Sequence, residues 1–151
     1  MSREARVAGT RIGFELSDVG KGKKGWLART DQKEGPRVGK YRVNLEDLED
    51  IGANAILYAI MHSDIIVIDE IGPMELFSEQ FVQTVLKAID CNKPVICTVH
   101  CKIRNELSDR IEQREDAETY VVNMQNRDHL HELLAERTRE LRGLNKPNKE
   151  L

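Results

Sequence analysis

The chain contains no run of the roughly 18 apolar residues that a membrane-spanning helix requires. Behind Met1 comes Ser-Arg-Glu-Ala-Arg, not an apolar stretch, so no secretory leader is expected. Basic residues are not in excess: 23 Lys and Arg face 26 Asp and Glu, for a net charge of −3. Aromatic residues make up 5% of the sequence, too few to supply base-stacking platforms. Nucleic acid is therefore not indicated as a partner. Cysteine is scarce and odd in number: Cys91, Cys97 and Cys101. An odd count argues against a disulfide framework. Cys97, His100 and Cys101 lie close in sequence, but a structural zinc site draws four ligands, usually from two separated pairs. Reduced thiols and a cytoplasmic location are the expectation.

What is present is a globular pattern. A length of 151 residues predicts a single domain over 1–151, able to bury roughly two-thirds of its unfolded surface. The opening, "ARVAGTRIGFELSDVGKGKKGWLAR", reads as short strands joined by glycine-rich turns, with Ile12, Phe14 and Leu16 alternating. A short strand at Tyr41 to Val43 leads to Asn44, a plausible helix N-cap, with Glu46 and Asp47 suited to the first turn. Helical spacing then runs from Leu45 to Ile60, and Gly52 is expected to bend or break it. "DIIVIDE" reads as a buried strand, and "SEQFVQTVLKAI" as an amphipathic helix capped by Ser78. "KPVICTVH" reads as a second buried strand, "IRNELSDRIEQRE" as a helix and "TYVVNM" as a third strand. "NRDHLHELLAERTRELRGL" closes the chain as a helix before the polar tail "NKPNKEL".

Strand and helix thus alternate over the last two-thirds, and continuous apolar strands belong to sheets covered on both faces. The fold class expected is α/β, a three-layer sandwich with a mainly parallel sheet. Ligands in such folds bind beyond the carboxyl ends of the strands. Three polar clusters fall there: Asp69-Glu70; Thr98 to His100; and Asn123 with Asn126, Arg127 and Asp128.

In "DIIVIDEIGPMEL" the strand ends in adjacent carboxylates, which point to opposite faces and so suit different tasks. Nucleotide hydrolysis needs two such acids: one holds hydrated Mg²⁺ against the phosphates, the other polarises the attacking water. Polar Thr98 and His100 end the next strand, where they can sense a terminal phosphate; a satisfied strand end is the plain alternative. Arg29, Arg37 and Lys40 are expected on loops, neutralising phosphate charge or simply solvated. Asn126 and Arg127 follow the last expected strand, where such folds contact a base, with N-capping as the competing role for Asn126. Cys97 and Met74 read as packing residues.

"VIDEIGPMELFSEQF" resembles the matching segment of the cancer-related nucleoside-triphosphatase family, the thermophile-type P-loop NTPases. "GTRIGFEL", "GWLAR", "GPRVGKYRVNLEDLE", "KPVICTVH" and "NRDHL" follow in that family's order, so the resemblance runs from about Arg6 to the closing helix. It implies hydrolysis of a nucleoside triphosphate to the diphosphate and phosphate, with Mg²⁺ as cofactor. It implies Asp69 as the Mg²⁺ residue, acting through water, and Glu70 as the water-orienting base. One family feature has no counterpart: the G-x-x-x-x-G-K-[ST] phosphate loop between a first strand and helix. "GKGKKGW" places Trp26 where the Lys belongs, and "GPRVGKY" has too short a spacing and Tyr41 in place of Ser or Thr. The expectation is a P-loop-NTPase-like domain lacking its first strand–loop–helix unit, carrying the Walker-B half of the site. An in-frame phosphate loop is expected upstream. The alternative is a P-loop-less interaction domain or a gene fragment without catalysis.

Overall fold

Hydrogen bonding within the first 43 residues is set by how little chain separates the strands. Two-residue connections force antiparallel pairing, because a parallel return needs a crossover of a dozen residues or more. The computed structural model describes residues 1–101 and 105–144. In it, β1 (Ser2–Val7) turns through Ala8 and Gly9 into β2 (Thr10–Ser17). Both turn residues have positive φ, 47° and 78°, the backbone of a tight hairpin turn whose twist matches its strands. β3 (Lys24–Arg29), β4 (Arg37–Val38) and β5 (Tyr41–Val43) complete a sheet in the order β1-β2-β3-β5-β4, antiparallel throughout.

The expected mainly parallel sheet is therefore corrected. Among the described residues, parallel pairing is confined to β6 (Ile66–Ile71) and β7 (Val95–Val99). Helix α3 (Glu79–Ile89) supplies the crossover between them. The architecture remains α/β, with mixed sheets. The two apolar strands are also less enclosed than their composition suggests. Ile66 and Ile68 are buried, whereas Val67 between them is 56% exposed. Side chains alternate across the pleat, and only one face meets the core.

Helical structure from Leu45 to His62 is continuous but not uniform. Asn44 caps α1 (Leu45–Asp47), its side chain accepting from the Asp47 N–H at 3.2 Å. A π-helical stretch, Leu48–Ala53, follows and passes into α2 (Asn54–His62). Gly52 lies in that stretch, so the sequence widens the helix there instead of breaking it. Asp47 also accepts from the Trp26 backbone N–H at 2.7 Å, tying the helix to β3. Ser78 caps α3 by accepting from Phe81 N–H at 3.1 Å, and donates to Glu49 Oε1 at 2.8 Å. These polar ties surround a core of Leu16, Leu27, Val43, Leu48, Ile51, Phe81 and Val85, together with the inward residues of β6. Cys97 and Met74 pack against it, as read from the sequence. Helix α4 (Glu106–Glu112) buries Leu107; Ile103 and Arg104 of the expected helix lie outside the described residues.

The chain falls into two compact units, residues 1–111 and 112–151. Within the second, "TYVVNM" is not a strand: it pairs with no ladder, and Val121, Val122 and Met124 are 76%, 61% and 75% exposed. Alternating apolar residues become a strand only where another strand accepts their backbone groups. A turn at Asn123 and Asn126 leads into α5 (Leu130–Leu144). The tail "NKPNKEL" lies outside the described residues.

Candidate active site

The parallel pair brings two strand ends together. In register, Ile68 stands beside Cys97, which places Asp69 next to Thr98. The Thr98 hydroxyl donates to Asp69 Oδ1 at 2.7 Å. One step on, the Ile71 carbonyl accepts from the His100 backbone N–H at 3.1 Å. The register shifts between Ile68 and Ile71, so the ladder is irregular where the two acids sit.

Beyond the strand the chain turns sharply at Gly72. Glu75 follows, at the start of a single 3₁₀ turn over Glu75–Phe77. Its side chain folds back, and Oε2 accepts from the Gly72 N–H at 3.0 Å. Glu75 is only 5% exposed. Burial pushes its carboxyl up to about 7, with the negative charge of Glu70 adding to the rise. Its backbone hydrogen bonds and the Met1 α-ammonium oppose it. Sequence reasoning missed Glu75, because a glutamate in a turn reads as solvated. The signal that could have found it was its place in "VIDEIGPMELFSEQF", three residues after Gly72.

Asp69, Glu70, Thr98 and His100 therefore share one sheet end. The basic candidates of the first unit stand in the antiparallel sheet and its turns. Arg29 and Arg37 stand in β3 and β4, not in loops, because the short strands extend into what glycine and proline suggested was connection. Arg29 stacks over Trp26, 4.5 Å from its ring, and pairs with Asp31 at 2.6 Å. Its Nε is buried without an acceptor. Lys40 sits in the β4–β5 turn, 5.4 Å from the Tyr41 ring. Asn126 and Arg127 belong to the second unit. Asn126 does not use its side chain to cap α5: its amide donates to the Val121 carbonyl at 2.8 Å and accepts from Asn123 N–H at 2.9 Å. Arg127 pairs with Asp128 at 3.4 Å.

Oxygen ligands at Asp69 and Thr98 suit a hard cation. Among the described residues no three His, Cys, Asp or Glu side chains cluster to cage a metal. Cys91, Cys97 and Cys101 are free thiols, and burial raises the Cys97 thiol above its usual range. Among the described residues no helix is long and apolar enough to cross a membrane.

Comparison with known proteins gives concordant matches. A family described as NTPase matches residues 1–135. The nucleoside-triphosphatase THEP1 of Thermofilum pendens is 46% identical over 138 residues, covering 89% of this chain and 75% of the relative. That of Methanosarcina barkeri is 48% identical over 139 residues, covering 92% and 78%. Among solved structures, THEP1 from Aquifex aeolicus superposes with a TM-score of 0.74 at 28% identity, covering 82% of this chain and 74% of that one. The solution structure of a human cancer-related nucleoside triphosphatase gives 0.73 at 29% identity, covering 92% and 79%. With most of its length matched in sequence and in fold, this chain belongs to the nucleoside-triphosphatase family that includes the THEP1 proteins.

Proposed function

We propose that this chain carries the acidic half of a nucleoside-triphosphatase site, which hydrolyses a nucleoside triphosphate to the diphosphate and phosphate. The observation that carries the reading is the 2.7 Å hydrogen bond from Thr98 to Asp69 at the shared end of β6 and β7. It fixes one oxygen of an acid at the place where sheets of this kind present ligands. Asp69 would hold Mg²⁺ through water, and the ion would supply charge neutralisation to the phosphates. Glu70 orients the attacking water and takes its proton, and Thr98 keeps Asp69 in place. His100, at the same strand end, would sense the terminal phosphate. Arg29, Arg37 and Lys40 are further candidates for countering phosphate charge.

In this reading the phosphate cradle comes from outside the 151 residues. Supporting it, "GPRVGKY" forms the approach to β4 and its turn into β5, a hairpin with no helix for phosphates to cap. The relatives also extend beyond the matched regions. Charge neutralisation and positioning supply nearly all phosphoryl-transfer catalysis, so the chain alone is expected to turn over slowly or not at all.

The test is phosphate release at saturating Mg-ATP and Mg-GTP. It compares the 151-residue chain with the same chain joined behind the phosphate-loop segment of a relative, each with a Glu70→Gln control. Release by the joined protein that Glu70→Gln abolishes supports the proposal. Absence of Glu70-dependent release in both forms overturns it in favour of a non-catalytic interaction domain. Strong Glu70-dependent release by the short chain places the cradle within it, with Gly35 to Tyr41 as first suspect.

A further inference from the structure

We propose that Glu75 is a positioning residue for Glu70: a buried carboxyl whose proton decides how the Glu70 carboxylate is held over the Gly72 turn. The inference deepens the reading of Glu70 as water-orienting base and rests on it for its meaning. Its physical claim, a coupling between two side chains, stands on separate observations.

The first is geometric. Gly72 is buried and lies between the two acids in sequence. A Cβ built on it would fall 2.7 Å from Glu75 Oε2 and 3.2 Å from Glu70 Oε1. Both carboxyl groups therefore converge on the one space that glycine leaves open. The second is the Glu75 hydrogen bond to Gly72 N–H at 3.0 Å, which pins the first peptide beyond β6 from the far side. The third is burial: at 5% exposure Glu75 has little water to spread its charge.

Two carboxylates that converge on one buried glycine, one of them buried itself, cannot both ionise without cost. The groups facing Glu75 are Glu70, which disfavours its charge, and the Met1 α-ammonium, which favours it. With Glu75 protonated, one negative charge sits over the turn and Glu70 occupies the space freely. With Glu75 ionised, the two repel and Glu70 must move outward or recruit a counter-charge. An incoming phosphate chain brings further negative charge to the same sheet end, and a neutral Glu75 lowers that repulsion. The Gly72 bond survives in either state, since a carboxyl accepts through one oxygen while its other carries the proton.

The experiment follows the side-chain carboxyl carbons of Glu70 and Glu75 by ¹³C NMR in the 151-residue chain, in metal-free buffer, from pH 4 to 9. The expected result is a Glu70 signal that shifts in step with Glu75 ionisation near neutrality. That step disappears in Glu75→Gln, whose amide oxygen still accepts from Gly72 and leaves the backbone spectrum in place. A Glu70 signal indifferent to Glu75→Gln overturns the proposal. If Glu75→Gln fails to fold, the wild-type titration decides: a Glu70 carbon that follows the Glu75 step upholds the coupling, and one that does not overturns it. No turnover is measured, so the outcome is independent of whether the chain hydrolyses a nucleotide.

Discussion

Thr98 donates its hydroxyl proton to Asp69 across 2.7 Å, joining the ends of two parallel strands that α3 separates in the chain. Because Thr98 is exposed, this bond competes with water, and its worth to stability is small, about 0.5–1 kcal/mol. Thr98→Val is expected to cost no more than that in urea denaturation. Its larger effect falls on metal binding: in the phosphate-loop-joined protein, the Mg²⁺ concentration giving half-maximal phosphate release should rise severalfold.

The two adjacent acids should separate in their phenotypes. In the joined protein, Glu70→Gln is expected to abolish turnover while nucleotide binding stays within about threefold, since a base acts in the transition state. Asp69→Asn should instead shift the Mg²⁺ dependence itself. Equilibrium nucleotide binding measured across a Mg²⁺ titration distinguishes them.

Glu75 gives the fold a pH dependence of definite sign. Its carboxyl ordinarily titrates at 4.5 and is raised to about 7 in the folded chain. Between those values the folded state binds more protons than the unfolded one, so stability falls as pH rises from about 4.5 through 7. At about 1.4 kcal/mol per unit the full contribution is of order 3 kcal/mol. Urea midpoints at pH 5 and pH 8 should show this loss, and Glu75→Gln should remove most of it.

Ser78 is 2% exposed and bridges two elements, capping α3 while donating to Glu49. Ser78→Ala is expected to cost about 1–2 kcal/mol, since the cap and a buried hydroxyl bond vanish together. A urea midpoint shifted by less than about a quarter of that would show that water replaces both bonds.

Val85 is fully buried in the core on α3. Val85→Ala should cost about 1–3 kcal/mol through lost burial and the cavity it leaves. Thermal unfolding of the pair of proteins reads this directly.

Local chemistry was the legible part of the sequence. Asn44 and Ser78 cap their helices through bonds that span three residues, so their neighbourhoods alone identify them. Asp69 and Thr98 could be placed side by side because each ends an apolar run, and parallel strands align such ends. What needed tertiary information was misread. "TYVVNM" has the composition of a strand, yet its pairing depends on a partner edge that composition does not encode. The strand character of Arg29 and Arg37 was hidden by the glycines and proline between them. Antiparallel pairing in β1 to β5 follows from short connections, which the alternation of later elements overshadowed. Glu75 was overlooked because its burial arises only when the turn after β6 closes on itself.

The two sheets differ in how far apart along the chain their partners lie, and that difference has a consequence in time. β1, β2 and β3 pair with immediate neighbours through short turns, so little loop entropy opposes them. β6 meets β7 only after α3 has been laid down between them. Contacts distant in sequence form late. During refolding, amides of β2 and β3 should therefore gain protection from hydrogen exchange before those of β6 and β7. The Asp69–Thr98 pair would then be among the last features of the first unit to assemble.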